Sequence, residues 1–199
     1  MFGINWPSAV IKMMTNLYRE KVEVQSSKVS GNEQKLLVNQ CVAVLRQGID
    51  LIENLTDALF TGSRQSEKSS VGTHFRHNLD FVTNFLDGLE TGRLDYNRRE
   101  RNLRVETNRE YAVFRFREAV GRLENLTPGT LTKKILVRSE TIESLWCESS
   151  GWRELEFLQS HTIHHYALIQ IKLASNGFTV PPDFGVAPST LEFWKSRTA

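Results

Sequence analysis

The five histidines of this 199-residue chain are confined to two short segments. His74 and His77 lie in VGTHFRHNLDF, and His161, His164 and His165 lie in SHTIHHYALI. On a helix, at roughly 100° per residue, His161 and His165 project about 40° apart and share one face. Two imidazoles spaced in this way can bind a single metal ion. The H-x-x-x-H pair therefore predicts two ligands of a metal site.

Such a site usually needs a third ligand, and the second histidine segment supplies the candidates His74 and His77. His164 projects about 80° away from the mean direction of the H-x-x-x-H pair, so it cannot easily point at the same ion. The alternative is that each histidine is a hydrogen-bonded residue beside the core. Clustering of all five histidines favours a metal site but does not by itself decide between the two interpretations.

The apolar residues recur at helical spacing in four long segments. These predict helices over about residues 33–60, 70–89, 107–126 and 151–176. A further helix is predicted near the N-terminus, ahead of a polar linker at residues 25–32. Residues 130–149 are richer in β-branched residues and predict two short strands.

Four long helices joined by polar segments predict an all-α protein, an antiparallel four-helix bundle. The expected additions are the extra N-terminal helix and a minor β or irregular segment near 130–149. The chain then divides into residues 1–31, the N-terminal helix and linker, and residues 32–199, the bundle domain.

Composition narrows the possible partners. A net charge of +2 gives no basic surface that would indicate nucleic acid or an anionic membrane, and no apolar run is long enough for a membrane span. We therefore expect neither nucleic acid nor membrane as a partner. Cys41 and Cys147 are interpreted as reduced thiols of a cytoplasmic protein, and neither is expected to be a nucleophile.

Several motifs together resemble the DinB-like family of metal-binding four-helix-bundle proteins. Ser70-Val-Gly is followed by a histidine seven residues after the serine, which is His77, and the H-x-x-x-H pair comes near the end of the domain. The segments RHNLD, DYNRRERN and DFGVAPST are similar to an uncharacterised branch of that family. The resemblance covers about residues 33–192.

The resemblance implies a nickel, zinc or iron ion held by His77, His161 and His165, with open positions for water or substrate. It further implies a metal-dependent enzyme that activates a thiol or water for reaction with a small-molecule substrate, similar to thiol S-transferases or to hydrolases. A low-molecular-weight thiol is a further expected cofactor. A homodimer is a family expectation. The alternative is a non-catalytic metal-binding module for stress response or interaction. A fourth protein ligand that closes the coordination shell would favour the module.

Other polar residues are secondary candidates for the site. His74 and Asp80 are candidate catalytic groups, and His74 and His164 are candidate partners of the ligand rings. For Asp80 the alternative is an ordinary solvated carboxylate, and for His164 a purely structural role.

The arginine-rich segment at residues 93–104 allows two interpretations. It is either a solvated connector or an anion clamp near the metal, because guanidinium groups bind carboxylates in a two-pronged contact. The candidate anion-binding residues are Arg98, Arg99 and Arg101.

Overall fold

The computed structural model describes residues 30–62, 69–127 and 129–198. Within these ranges the helices are α1 (Gly31–Asn54), α2 (Asp57–Thr61), α3 (Val71–Thr91), α4 (Leu103–Thr107), α5 (Arg109–Glu124), α6 (Gly151–Ala174) and α7 (Pro188–Thr198). The strands are β1 (Arg93–Leu94), β2 (Lys134–Arg138) and β3 (Trp146–Ser150), and a 3-10 turn, Thr130–Thr132, precedes β2. The predicted N-terminal helix lies outside the described residues. No helix in the described ranges is both long enough and apolar enough to cross a membrane.

The helices begin at residues whose side chains satisfy the free backbone N–H groups of the first turn. Ser30 caps α1 in a capping box with Glu33, and Ser70 caps α3 in the same way with Thr73. Ser150 caps α6 by accepting a hydrogen bond from the backbone N–H of Arg153. Each cap contributes about 1 kcal/mol and fixes where the helix starts. The register of α3 and α6, on which the histidines lie, is set by these serines.

The four long helices α1, α3, α5 and α6 contribute their apolar faces to one core. Phe75 of α3 lies at its centre, with ring centroids 6.1 Å from Phe60, 5.8 Å from Phe116 and 5.8 Å from Tyr166. All four aromatic side chains are fully buried. Aromatic packing of this kind holds α3 and α6 in fixed relative positions, so the histidines on them have a rigid support.

The prediction of an all-α fold is wrong, because the described residues include a three-stranded mixed sheet with the order β1-β2-β3. Strand β1 pairs in parallel with β2, where Arg93 is opposite Leu136, and β2 pairs antiparallel with β3, where Lys134 is opposite Ser150. The two strands at 130–149 were predicted as minor structure. Strand β1 was not predicted, since its two residues lie in a polar segment and pair with a strand about forty residues later.

Two predicted helices also begin or end elsewhere. The segment 33–60 is divided, because α1 ends at Asn54 and Thr56 caps the separate helix α2. The third long helix starts at Arg109 with Asn108 as its cap, and the short helix α4 precedes it. Helix α6 is continuous over Gly151–Ala174, as predicted for 151–176.

Candidate metal centre

His77 on α3 and His161 and His165 on α6 form a compact triangle between the two helices. Their ring centroids are 5.1 Å apart for His77 and His161, 4.5 Å for His77 and His165, and 4.7 Å for His161 and His165. Each ring offers one nitrogen such that the three nitrogens lie within 4.8 Å of one another. The three predicted ligands therefore converge, although His77 and His161 are 84 residues apart in the chain.

The spacing of the ring nitrogens suits a metal ion. Nε2 of His77 lies 3.0 Å from Nε2 of His161. Two nitrogen ligands of a tetrahedral zinc ion are about 3.3 Å apart, because each bond is about 2.0–2.1 Å long. A small outward movement of the rings would thus accommodate an ion. Three imidazoles also leave a fourth position of a tetrahedral ion for another ligand.

The electrostatic environment keeps the three rings neutral, which is the form that coordinates metal. Burial, followed by the neighbouring histidine and arginine charges, lowers the pKa of His77 to about 4. Burial and then the charge of His164 lower the pKa of His161 to about 4, and burial and then His77 lower that of His165 to about 3. For an ordinary histidine, protons compete with metal from about pH 6.5 downward. The lowered pKa values shift this competition toward pH 4.

The Ser-Val-Gly motif has a structural function in positioning His77. Ser70 caps α3, and Gly72 packs directly against the backbone carbonyl of Glu106 in α4, where a β-carbon would clash. The Glu106 carboxylate accepts a hydrogen bond of 3.1 Å from Nε of Arg76. Helix α4 is thereby held against the turn of α3 that carries the histidine.

Asp80, a predicted catalytic candidate, is buried and accepts a 2.9 Å hydrogen bond from the Arg76 guanidinium. Burial raises the pKa of Asp80, and Arg76 opposes that effect. None of the hydrogen bonds found for Asp80 connects it to a histidine ring. Its contacts assign it to the ion-pair network of Arg76 and Glu106 and not to the candidate ligands.

His74 and His164 occupy different environments beside His165. Nδ1 of His74 lies 3.0 Å from Nδ1 of His165, and Nε2 of His74 lies 3.4 Å from the Ser69 hydroxyl. When Nδ1–H of His165 donates to His74, Nε2 of His165 is left to bind a metal ion. His164 is exposed on the outer side of α6, with its ring centroid 5.4 Å from that of His165.

Of the three predicted anion-binding arginines, only Arg99 hydrogen-bonds to a histidine ring within the part of the chain that the structure describes. Its guanidinium lies 3.2 Å from Nδ1 of His77. Arg98 and Arg101 are exposed. Arg101 has a positive φ of 52°, and its backbone hydrogen-bonds to Asp80. The segment between β1 and α4 thus contacts the site region at two points, the Arg101 backbone at Asp80 and the Arg99 side chain at His77.

An aromatic wall encloses the His161 side of the triangle, and the sequence interpretation missed it. Phe81 stacks on His161 with centroids 4.1 Å apart, and Tyr96 stacks on Phe81 at 4.7 Å. The Tyr96 hydroxyl donates a 3.2 Å hydrogen bond to the buried carboxylate of Glu154. A usable signal was present, because Phe81 follows His77 by one helical turn. Tyr96 lies in the connection after β1 and carries no such signal.

The chain is 31% identical over 188 residues to a protein named FK506-binding protein 5 from Rhizopus delemar. The match covers 90% of this chain and 43% of that relative, so the chain spans less than half of the relative's length. No family model matches the chain, and no solved structure matches it either.

These comparisons correct two expectations. The relative bears the name of an FK506-binding protein, which conflicts with describing this chain as a DinB-like bundle or as a transferase. Both descriptions are therefore withdrawn. The FK506 binding stated in the relative's name belongs to a protein more than twice as long as the matched segment.

Proposed function

We propose that this chain binds one divalent transition-metal ion through His77, His161 and His165, and that it uses the ion for hydrolytic chemistry on a small molecule. The observation that carries the proposal is the convergence of three half-buried, neutral imidazoles from two rigid helices. Imidazole nitrogen suits zinc, nickel and iron, so the donor set fits these metals and does not select one.

A bound divalent ion would supply Lewis acidity, lowering the pKa of a coordinated water and polarising a substrate oxygen. The chain's own residues contribute position and environment. His74 fixes the orientation of His165 through the 3.0 Å contact between their Nδ1 atoms. Phe81 and Tyr96 shield His161 from water on one side. Asp80, committed to Arg76, orders the turn of α3 next to His77.

The competing proposal is a metal-binding module without catalysis. A closed shell would need a fourth protein ligand, and His74 is the nearest additional histidine. Nδ1 of His74 already contacts His165, and its Nε2 contacts Ser69. Among the described residues, the nitrogens that lie within 4.8 Å of one another belong to His77, His161 and His165. This arrangement favours an open coordination position and therefore an enzyme.

The test of the site is the metal content of four single variants. We expect His77→Ala, His161→Ala and His165→Ala to lose bound metal after loading with zinc or nickel and dialysis. His164→Ala, which removes an exposed histidine from the same helix turn, should retain about one ion per chain. Retention of full metal content in any of the first three, with folding intact, would contradict the assignment.

Catalysis is tested separately on the metal-loaded chain. We expect hydrolysis of an activated ester such as p-nitrophenyl acetate to fall to the background rate after chelation and to return on adding the metal. A loaded protein whose rate equals that of its own His165→Ala variant would support the non-catalytic module.

The proposed compartment is the cytoplasm, because Cys41 and Cys147 are both free thiols and Cys147 is exposed. Exposed unpaired thiols are typical of reducing environments. A low-molecular-weight thiol as a second cofactor and a homodimer stay predictions from the resemblance.

A further inference from the structure

The Arg99 guanidinium lies beside the candidate ligands and has an N–H donor without a hydrogen-bond partner. It lies in the connection between β1 and α4, 3.2 Å from Nδ1 of His77 and 5.5 Å from the centroid of Phe81. Its Nε–H is buried and has no hydrogen-bond partner. Leaving a charged donor unsatisfied in this way costs free energy unless a ligand pairs with it.

The neighbouring Arg76 shows what a structural arginine looks like at this site. Its guanidinium pairs with Asp80 at 2.9 Å and with Glu106 at 3.1 Å, and the three side chains hold α3 against α4. For Arg99, no carboxylate of the described residues lies within 4.0 Å. The charge of Arg99 acts to lower the pKa of Asp80, but the Asp80 carboxylate is already paired with Arg76. A structural ion pair of the kind made by Arg76 therefore does not account for Arg99.

The contact between Arg99 and His77 also determines where the proton of His77 lies. A guanidinium only donates hydrogen bonds, so Nδ1 of His77 accepts and the proton resides on Nε2. Nε2–H of His77 then donates to Nε2 of His161, 3.0 Å away. Without metal, the three groups thus form one continuous hydrogen-bonded chain.

Metal binding is incompatible with this proton arrangement. A ligating nitrogen carries no proton, so a neutral His77 bound through Nε2 has its proton on Nδ1. Nδ1–H cannot accept from Arg99, and two donors then face each other. Metal binding through Nε2 of His77 would therefore remove the acceptor of Arg99, and the guanidinium donors would become free for another partner.

We propose that Arg99 is the residue that binds the anionic group of the substrate, a small oxyanion such as a carboxylate or a phosphate, beside the metal. The proposal rests on the function proposed above and names its substrate class. The Nε–H and one terminal N–H of a guanidinium match the two oxygens of such a group. Phe81 covers one side of Arg99, and this reduces screening by water and strengthens the ion pair.

The experiment uses the full chain loaded with cobalt(II), whose visible absorption reports changes in its ligands, and acetate as the probe anion. Parent protein, Arg99→Gln, Arg99→Lys and the exposed control Arg98→Gln are compared. We expect Arg99→Gln to weaken acetate binding by about tenfold or more, because a charge-assisted hydrogen bond is lost. Arg99→Lys should be intermediate, and Arg98→Gln should match the parent.

A second measurement is the dissociation constant for cobalt in the absence of acetate. Arg99→Gln should bind cobalt as tightly as the parent or more tightly, because a positive charge beside the metal site is removed and the Gln amide oxygen can accept from His77 Nδ1–H. Equal acetate affinity in parent and Arg99→Gln would overturn the proposal, since the anion would then bind to the metal alone. Loss of cobalt binding in Arg99→Gln would also overturn it by making Arg99 structural. A parent protein that binds no cobalt would instead refute the proposed metal site itself.

Discussion

His74 lies behind the candidate ligand His165 and is bonded in turn to Ser69. Hydrogen-bonded partners of this type orient a ligand ring, and their loss typically weakens metal binding about 10- to 100-fold. We therefore expect His74→Ala to reduce zinc affinity within that range while retaining one ion per chain at saturating zinc. Competition with a chromophoric chelator measures the affinity. An empty site at saturation would show that His74 is itself a ligand, and unchanged affinity would show that it orients nothing.

The buried histidines also predict how the metal-free protein responds to acid. His77, His161 and His165 have pKa values of about 4, 4 and 3 in the folded chain, against about 6.5 when unfolded. Between these values the unfolded chain binds more protons than the folded one. The free energy of unfolding must therefore fall as the pH decreases from about 6.5 to about 3 and then become insensitive to these groups.

Urea unfolding of the metal-free protein at pH 7.5, 6.0 and 5.0 measures this effect. His161→Gln should lose less stability than the parent between pH 7.5 and 5.0. The substitution removes one group whose pKa is lower in the folded than in the unfolded chain. His164→Gln is the matched control for replacing a histidine on the same helix. Identical pH dependence in the parent and in His161→Gln would show that the ring of His161 is not held neutral by the fold.

At the scale of the elements, the close approach of α1 to α6 is set by Gly48. A β-carbon at this position would clash with the hydroxyl of the buried Tyr166, which immediately follows His165. We expect Gly48→Ala to destabilise the protein by about 1–3 kcal/mol in chemical denaturation, since overpacking a rigid core costs that much.

Gly121, in the last turn of α5, is the control for that substitution because a β-carbon added there would meet no atom within 4 Å. Gly121→Ala should be stabilising by up to about 1 kcal/mol through its higher helix propensity. If both variants gained stability, the contact between Gly48 and Tyr166 would not restrict the packing of α1 on α6.

The long helices could be predicted because their apolar periodicity extends over several turns, and α6 is continuous as expected. Short elements depend on distant partners. Strand β1 exists through its pairing with β2, and the break after α1 depends on the cap that Thr56 provides for α2. That His161 and His165 share one helix face could be predicted from the H-x-x-x-H spacing, whereas the choice of His77 over His74 came from the family resemblance around Ser70. The engagement of Arg99 and the stacking of Tyr96 were not, since both residues lie in an irregular connection.

For the whole molecule, the fold brings together functional groups from three distant parts of the chain. Helix α3 supplies His77, α6 supplies His161 and His165, and the connection after β1 supplies Arg99 and Tyr96. The mixed sheet anchors that connection, because β1 pairs with β2 immediately before Tyr96. Strand β1, which the sequence did not predict, thus places the residues that complete the site.

The measurement that tests the central claim most directly is X-ray absorption spectroscopy of the zinc-loaded full chain. We predict one zinc per chain with three imidazole ligands at about 2.0–2.1 Å and a remaining oxygen ligand from solvent. In His165→Ala the imidazole signal should be lost or reduced together with the metal, while His164→Ala should reproduce the parent spectrum. A sulfur ligand, a fourth imidazole, or a parent protein that retains no zinc would contradict the open three-histidine site.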